Sequence, residues 1–180
     1  MIVLVIGLPG SGKSYFASRL AEAMNADYFN SDRIRKELEA NRNYSYRGKE
    51  MVYDVMLQRM KESIKNNKDV VLDATFYKRS IRDKFANEVL GTEGIIFVEV
   101  TAPESVIKER LLHKREFSEA DFEVYKVIRK EWEPILEKHL ELASSNDNLE
   151  GMLKNAIQYI NQIKNEYGSN QPTGNGGRNS

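Results

Sequence analysis

The stretch MIVLVIGLPGSGKSYF, Met1–Phe16, decides how this chain is read. Ile2–Ile6 is an unbroken aliphatic run rich in β-branched residues, the pattern of a strand buried on both faces of a parallel sheet. Gly7, Gly10 and Gly12 then turn the chain into Lys13 and Ser14, where a helical pattern begins. Working outward, Val70–Leu72 and Ile95–Val100 read as two more buried strands, and Asp27–Asn30 and Leu140–Ala143 as shorter ones. Helical patterns separate them at Ser14–Met24, Asp32–Glu39, Lys49–Asn66, Ser80–Leu90, Glu104–His113, Glu119–Trp132 and Leu149–Tyr167. In the third of these, Val52, Val55, Met56, Arg59, Met60 and Ile64 recur at helical spacing and are expected to face the sheet. Strands alternating with helices imply right-handed crossovers. The expected fold is therefore α/β, a three-layer sandwich with a roughly five-stranded parallel sheet and helices on both faces.

Composition bounds the rest. The 180 residues are enough for one domain with a real core, expected over residues 1–167. The closing GSNQPTGNGGRNS, residues 168–180, has nothing to bury and is expected to be disordered. Basic and acidic residues balance at 27 each, so no overall field draws the chain onto nucleic acid or an anionic membrane. There is no cysteine, which removes disulfides, thiolate nucleophiles and cysteine metal sites and fits a reducing cytoplasm. The apolar start is too short to span a bilayer, so the expectation is a cytoplasmic protein with no membrane partner. Oligomeric state leaves no mark in the sequence.

Gly7-Leu8-Pro9-Gly10-Ser11-Gly12-Lys13-Ser14 satisfies the pattern G-x-x-x-x-G-K-[ST]. Glycines let successive backbone N–H groups curl inward onto phosphate oxygens, and the helix after the loop adds its positive N-terminal end. Lys13 would reach the outer phosphates, and the Ser14 hydroxyl would bind Mg²⁺. Gly7, Pro9, Gly10, Ser11, Gly12, Lys13, Ser14 and Tyr15 are therefore the candidate nucleotide-binding residues, with ATP and Mg²⁺ as the expected cofactors. Ordinary residue frequencies give a chance match in roughly half a per cent of chains this long. The motif thus points to a P-loop NTPase sandwich of the adenylate-kinase-like kind.

Three segments bear on where the phosphate goes. VVLDAT places Asp73 at the end of a buried strand and continues with Ala74, not the glutamate that activates water in motor-type ATPases. Asp73 could orient the hydration shell of Mg²⁺ or bind the acceptor beside Thr75, or it could cap the next turn. In NSDRIRKEL, Asp32 and Arg35 share one side of a first helical turn. The carboxylate can take the proton of an attacking hydroxyl and the guanidinium can fork onto an acceptor phosphate. The alternative is a helix cap by Ser31 or Asp32. In KERLLHKREF, Arg110, His113, Lys114 and Arg115 cluster at a helix end, where lid arginines neutralise charge on transferred oxygens; a dipole-complementing C-terminus is the other reading.

Together the glycine loop, NSDRIRKEL, VVLDATFYKRSIRDKF, VEVTAPESVIKERL and EADFEVYKVIRKEWEPI resemble the small P-loop kinases grouped as AAA-type predicted kinases. Their better-known relatives are the 5′-kinase domain of polynucleotide kinase and the zeta-toxin kinases. The resemblance implies Asp32 as general base, Arg35 as the grip on the acceptor, Asp73 as an acceptor contact, and Arg110 or Arg115 as a lid arginine near residues 110–120. It implies an ATP- and Mg²⁺-dependent kinase acting on a hydroxyl, with a polynucleotide 5′-hydroxyl as the favoured acceptor. A sugar, nucleotide-sugar or other metabolite is the alternative, and a non-catalytic nucleotide switch is the alternative of another class. RNYSYRGKE, Arg42–Glu50, departs from the polynucleotide kinase pattern; Tyr44 and Tyr46 there either stack on a base or lie on the surface.

Overall fold

β1 (Ile2–Ile6) has no exposed residue, because it is paired on both edges and covered on both faces. The computed structural model describes residues 1–40, 48–89, 94–112 and 121–169. Around β1 lie α1 (Lys13–Met24), β2 (Asp27–Asn30), α2 (Ser31–Ala40), α3 (Gly48–Lys65), β3 (Val70–Asp73) and α4 (Arg79–Glu88). β4 (Ile95–Thr101), α5 (Glu104–Leu112), α6 (Phe122–Lys130), β5 (His139–Ala143) and α7 (Leu149–Ser169) complete the chain order. The sheet has five strands in the order β2-β3-β1-β4-β5, all parallel, with Ile2 in register with Val70 on one side and Ile95 on the other. This is the expected α/β sandwich.

Alternation along the strands divides the core in two. Leu4, Ile6 and Leu72 pack with Val52, Met56 and Met60 of α3, Phe85 of α4, and Phe76. Val3, Val5, Val71 and Val98 pack with Phe16, Ala17 and Leu20 of α1 and with Met152, Ala156, Ile160 and Ile163 of α7. Arg59 departs from the expectation for α3: it turns outward to pair with Glu37 at 2.5 Å, since its charge is satisfied there and not against the sheet. α6 runs from Phe122, where the Asp121 side chain accepts from the Val124 N–H at 2.9 Å and sets the first turn; the expected start at Glu119 lies outside the described residues.

Among the described residues, the largest fully buried side chain is charged. Arg82 on α4 is 0% exposed and donates to the carbonyls of Phe76 and Pro134, each at 2.9 Å. The neighbouring Glu133 N–H donates to Tyr77 O at 2.9 Å, and the Glu133 carboxylate accepts from the Arg79 N–H at 2.6 Å. These bonds staple the β3–α4 connection to the segment after α6. Phe76 holds φ +44°, a left-handed conformation costly for an aromatic residue, and its carbonyl is one that Arg82 grips. No described helix is long and apolar enough to cross a membrane.

At the amino ends of the strands, Asp69 accepts from the Met1 amino group at 2.8 Å and from Lys164 at 2.7 Å, tying β1 to α7. Partial burial opposes its ionised form, but the two cations outweigh burial and hold the carboxyl below its ordinary range. A depressed folded-state pKa adds stability above the unfolded value, lost as pH falls through the folded one. The stability difference between the unaltered chain and Asp69→Asn should therefore be complete at neutral pH and shrink toward zero at acid pH, as read by urea unfolding across pH. A difference that grows on acidification would contradict the pairing.

Candidate active site

The glycine loop closes tightly on its surroundings. A Cβ on Gly7 would lie 2.5 Å from the Val100 carbonyl oxygen, so the loop can leave β1 only with glycine there. Gly10 and Gly12 have φ of +82° and +91°, which bend the loop toward α1. Gly12 is the N-cap of α1, no side chain caps it, and the first turn holds no acid. The N–H groups at this helix start and the positive end of its dipole are thus left for an anion. Lys13 opens the helix and is only 8% exposed.

Beside the loop, Asp73 closes β3 with 0% exposure. Its Oδ2 accepts from the Tyr28 hydroxyl at 2.7 Å and from Asn30 Nδ2 at 2.5 Å. Burial first, and the Asp73 carboxylate second, push the Tyr28 hydroxyl pKa well up, so it stays a donor. Asp73 Oδ1 is buried without a hydrogen-bond partner. Asn30 Nδ2 also lies 3.4 Å from Ser14 Oγ, which brings Ser14 and Asp73 into one network. An orphaned carboxylate oxygen in the same network as a serine hydroxyl offers hard oxygen donors of the type that suit Mg²⁺, which takes few protein ligands and fills the rest with phosphate and water. No cluster of three or more carboxylates, histidines or cysteines able to hold a metal exists among the described residues.

The same Asn30 corrects the reading of α2. Its Oδ1 accepts from the Arg33 N–H at 2.9 Å, so the cap is Asn30 and neither Ser31 nor Asp32. In N-S-D all three residues can cap; β2 ends at Asn30 and so places it where the first turn needs an acceptor. Asp32 keeps its carboxylate, partly exposed, and pairs with Arg35 at 3.2 Å. Nearby, the Tyr53 hydroxyl stands 3.4 Å from Thr75 Oγ1, with the Tyr53 ring set against Phe76 at 5.5 Å between centroids. Burial raises the Tyr53 hydroxyl pKa, and its bond to Thr75 opposes that.

Arg110 does not stand with Asp32 and Arg35. It donates to Ser144 Oγ at 2.8 Å, Asn146 Oδ1 at 3.1 Å and the Gly10 carbonyl at 3.3 Å. Desolvation lowers its pKa, with Glu109 acting against that. With Gly12, Tyr15 and the β5–α7 residues Ser145, Asn148 and Met152, it lines a cavity of about 420 Å³ next to the phosphate loop. Sequence reasoning missed Tyr28, Asn30, Ser144 and this cavity. Arg115, His113, Lys114, Tyr44, Tyr46, the expected lid beyond Leu112 and residues 170–180 of the expected tail lie outside the described residues. His139, at the start of β5, bonds the Glu137 carbonyl at 2.8 Å.

A family model described as AAA domain matches residues 2–135. The chain belongs to this family. Among solved structures, this AAA-domain chain is similar to a gluconokinase from Sinorhizobium meliloti 1021 at 20% identity and TM-score 0.70, over 94% of this chain and 97% of that one. A sugar kinase from Janibacter sp. HTCC2649 aligns at 17% and TM-score 0.68, over 89% and 94% of the two chains. The Mycobacterium tuberculosis APS kinase CysC, in complex with AMPPNP and APS, aligns at 15% and TM-score 0.65, over 89% and 96%. No curated protein sequence matches. At these identities the likeness establishes the fold, which is that of the P-loop kinases.

Asn30 joins a helix cap to a buried carboxylate, so removing it should cost on both counts. Asn30→Ala is expected to destabilise the chain by about 2–4 kcal/mol in urea unfolding. A change below about 0.5 kcal/mol, the usual range for an uninvolved surface site, would remove Asn30 from the network.

Proposed function

We propose that the chain is an ATP- and Mg²⁺-dependent kinase that transfers the γ-phosphate to a hydroxyl of a small, sugar-like metabolite. The observation that carries this reading is the uncapped, acid-free start of α1 at Lys13, adjoining a first turn of α2 where Asn30 caps and Asp32 keeps its carboxylate. Anion-binding donors at the start of α1 thus adjoin, through Asn30, the first turn of α2, which carries a carboxylate base paired with Arg35. A small acceptor is favoured over a polynucleotide end by the balanced charge of the chain and by the sugar and gluconate kinases that share its fold over nearly their whole length.

In this reading the loop N–H groups from Gly10 to Ser14, with Lys13, hold the phosphates, while Gly7 and Pro9 shape the loop and Tyr15 borders the cavity. Ser14 and Asp73 would hold Mg²⁺, Ser14 directly and Asp73 through its hydration shell; bound Mg²⁺ neutralises charge on the phosphate oxygens. Asp73 is thereby assigned to the metal side and not to the acceptor, since the carboxylate is fully buried. Asp32 accepts the proton of the acceptor hydroxyl as its oxygen attacks the γ-phosphorus, and the bond to the β-phosphate oxygen breaks to release ADP. Arg35, Thr75 and Tyr53 present a guanidinium and two hydroxyls to a polyhydroxylated acceptor. Arg110, already bonded to the loop and to Ser144, serves the nucleotide side, and Arg115 remains the proposed arginine over the transferred group.

Transfer of labelled γ-phosphate to a panel of sugars, sugar acids and a 5′-hydroxyl oligonucleotide tests the proposal. Label should appear on a sugar or sugar acid. Asp32→Asn should lower kcat by about 10²-fold or more while ATP affinity holds. Label on the oligonucleotide alone would overturn the small-acceptor reading. Tight ATP binding with no transfer to any acceptor, and no effect of Asp32→Asn, would make the chain a nucleotide switch. Lys13→Ala should weaken ATP binding itself, as read by calorimetry; unchanged affinity would remove the loop from the site.

A further inference from the structure

Ser144 sits at the point where the sheet's far edge meets the glycine loop. Its N–H donates to the Thr101 carbonyl at 2.8 Å, continuing the β4–β5 ladder one residue past Ala143. Its hydroxyl, on a side chain in a residue only 7% exposed, donates to the Ser11 carbonyl at 2.5 Å and accepts from Arg110 at 2.8 Å. The next residues are held too: the Ser145 N–H donates to Asn148 Oδ1 at 2.9 Å, and Asn148 Nδ2 donates to the Ala143 carbonyl at 2.8 Å. The hydroxyl therefore has a fixed position relative to the sheet.

What it grips matters for the proposed reaction. In a trans peptide the C=O of one residue and the N–H of the next point in opposite directions. The Ser11 carbonyl and the Gly12 N–H share such a peptide, so a bond that draws the carbonyl toward Ser144 sends the Gly12 N–H the other way, to the open start of α1 beside Lys13. Gly12 tolerates either sign of φ, so this peptide is free to flip unless something outside the loop holds it. The fit is close: a Cβ on Gly12 would lie 3.0 Å from Ser144 Oγ.

We propose that Ser144 is a positioning residue that pre-sets the Ser11–Gly12 peptide, and with it the Gly12 N–H, for binding the nucleotide's phosphates. This rests on the nucleotide reading above. Ser144 acts through the loop; the sheet-anchored hydroxyl transmits the rigidity of β4 and β5 to a segment whose glycines give it little rigidity of its own. Arg110 orients the hydroxyl by donating to it, so that its proton faces the Ser11 carbonyl.

Calorimetric binding of Mg²⁺-tripolyphosphate, which carries phosphates without a base, and adenosine binding monitored by NMR separate this role from mere packing. Ser144→Ala removes the donor; Ser144→Cys keeps a side chain of the same shape, somewhat larger, with a much weaker donor and covers the case in which the alanine chain folds poorly. Both variants are expected to bind tripolyphosphate about five- to tenfold more weakly, the scale of one buried hydrogen bond, with adenosine affinity unchanged. Full tripolyphosphate affinity in the cysteine variant would overturn the proposal, leaving Ser144 as filler. Equal losses for adenosine and tripolyphosphate would overturn it as well, since that marks a general loosening. An unaltered chain that binds adenosine but no tripolyphosphate would bring down the nucleotide reading together with this one.

Discussion

The constraint on which the rest depends is the burial of β1 between β3 and β4. An aliphatic strand wholly removed from water gains about 1.5–3 kcal/mol per large side chain, and in this fold it does so only when paired on both edges and covered on both faces. The chain leaves β1 toward β2 and β3 and later returns to build β4 and β5 on the other side. The carboxyl end of β1 is thus the switch point of the sheet, where the two connections diverge and leave a crevice. The glycine loop occupies that crevice because the chain enters it directly on leaving β1, and Gly7 passes so near Val100 that the loop is pressed against β4 from its first residue.

Both neighbours then set the loop's chemistry. From the β3 side come Asp73 and the two donors that hold it, Tyr28 and Asn30, linked through Asn30 to Ser14. From the β4–β5 side come Ser144 and Arg110, bonded to the Ser11 and Gly10 carbonyls. Oxygen donors gather on one flank and hydrogen-bond donors to the loop carbonyls on the other. A polar network buried this deeply is costly unless satisfied, and Asp73 Oδ1 is an exception among the described residues. In the proposed reading, this unsatisfied acceptor at the junction of loop, strand end and helix start faces the cation that would arrive with the phosphates.

This division also explains what could be read from the sequence. β1, the glycine loop and the buried faces of α3 and α7 arise from local pattern alone, since each is a run whose period or spacing has one physical meaning. Arg59 sits at the right spacing to face the core and yet points out to Glu37, because spacing carries no information about charge pairing across helices. Asn30, Ser31 and Asp32 are equal as caps by residue type; only the end of β2 selects Asn30 and frees Asp32. Ser144 and Arg110 meet the loop across 133 and 100 residues of chain, so nothing near either of them in sequence announces the contact. Arg82 runs against composition, a charge at zero exposure whose two carbonyl partners come from connections and not from elements.

Arg82 also separates the two halves of the site by the way each is built. The donor side rests on strand ends, whose positions are set by the ladder of the sheet. The proposed acceptor side rests on helix surfaces and on the β3–α4 connection, where Phe76 holds a strained conformation and Arg82 and Glu133 bind that connection to the chain beyond α6. A strained residue persists only where its surroundings over-determine it, and here they do so through a segment that begins at the end of α6. Thr75, one residue before Phe76, is therefore placed by contacts that reach across the molecule, while Asp32 and Arg35 are placed by the first turn of α2. Residues of this second kind can change without disturbing β1 or the loop.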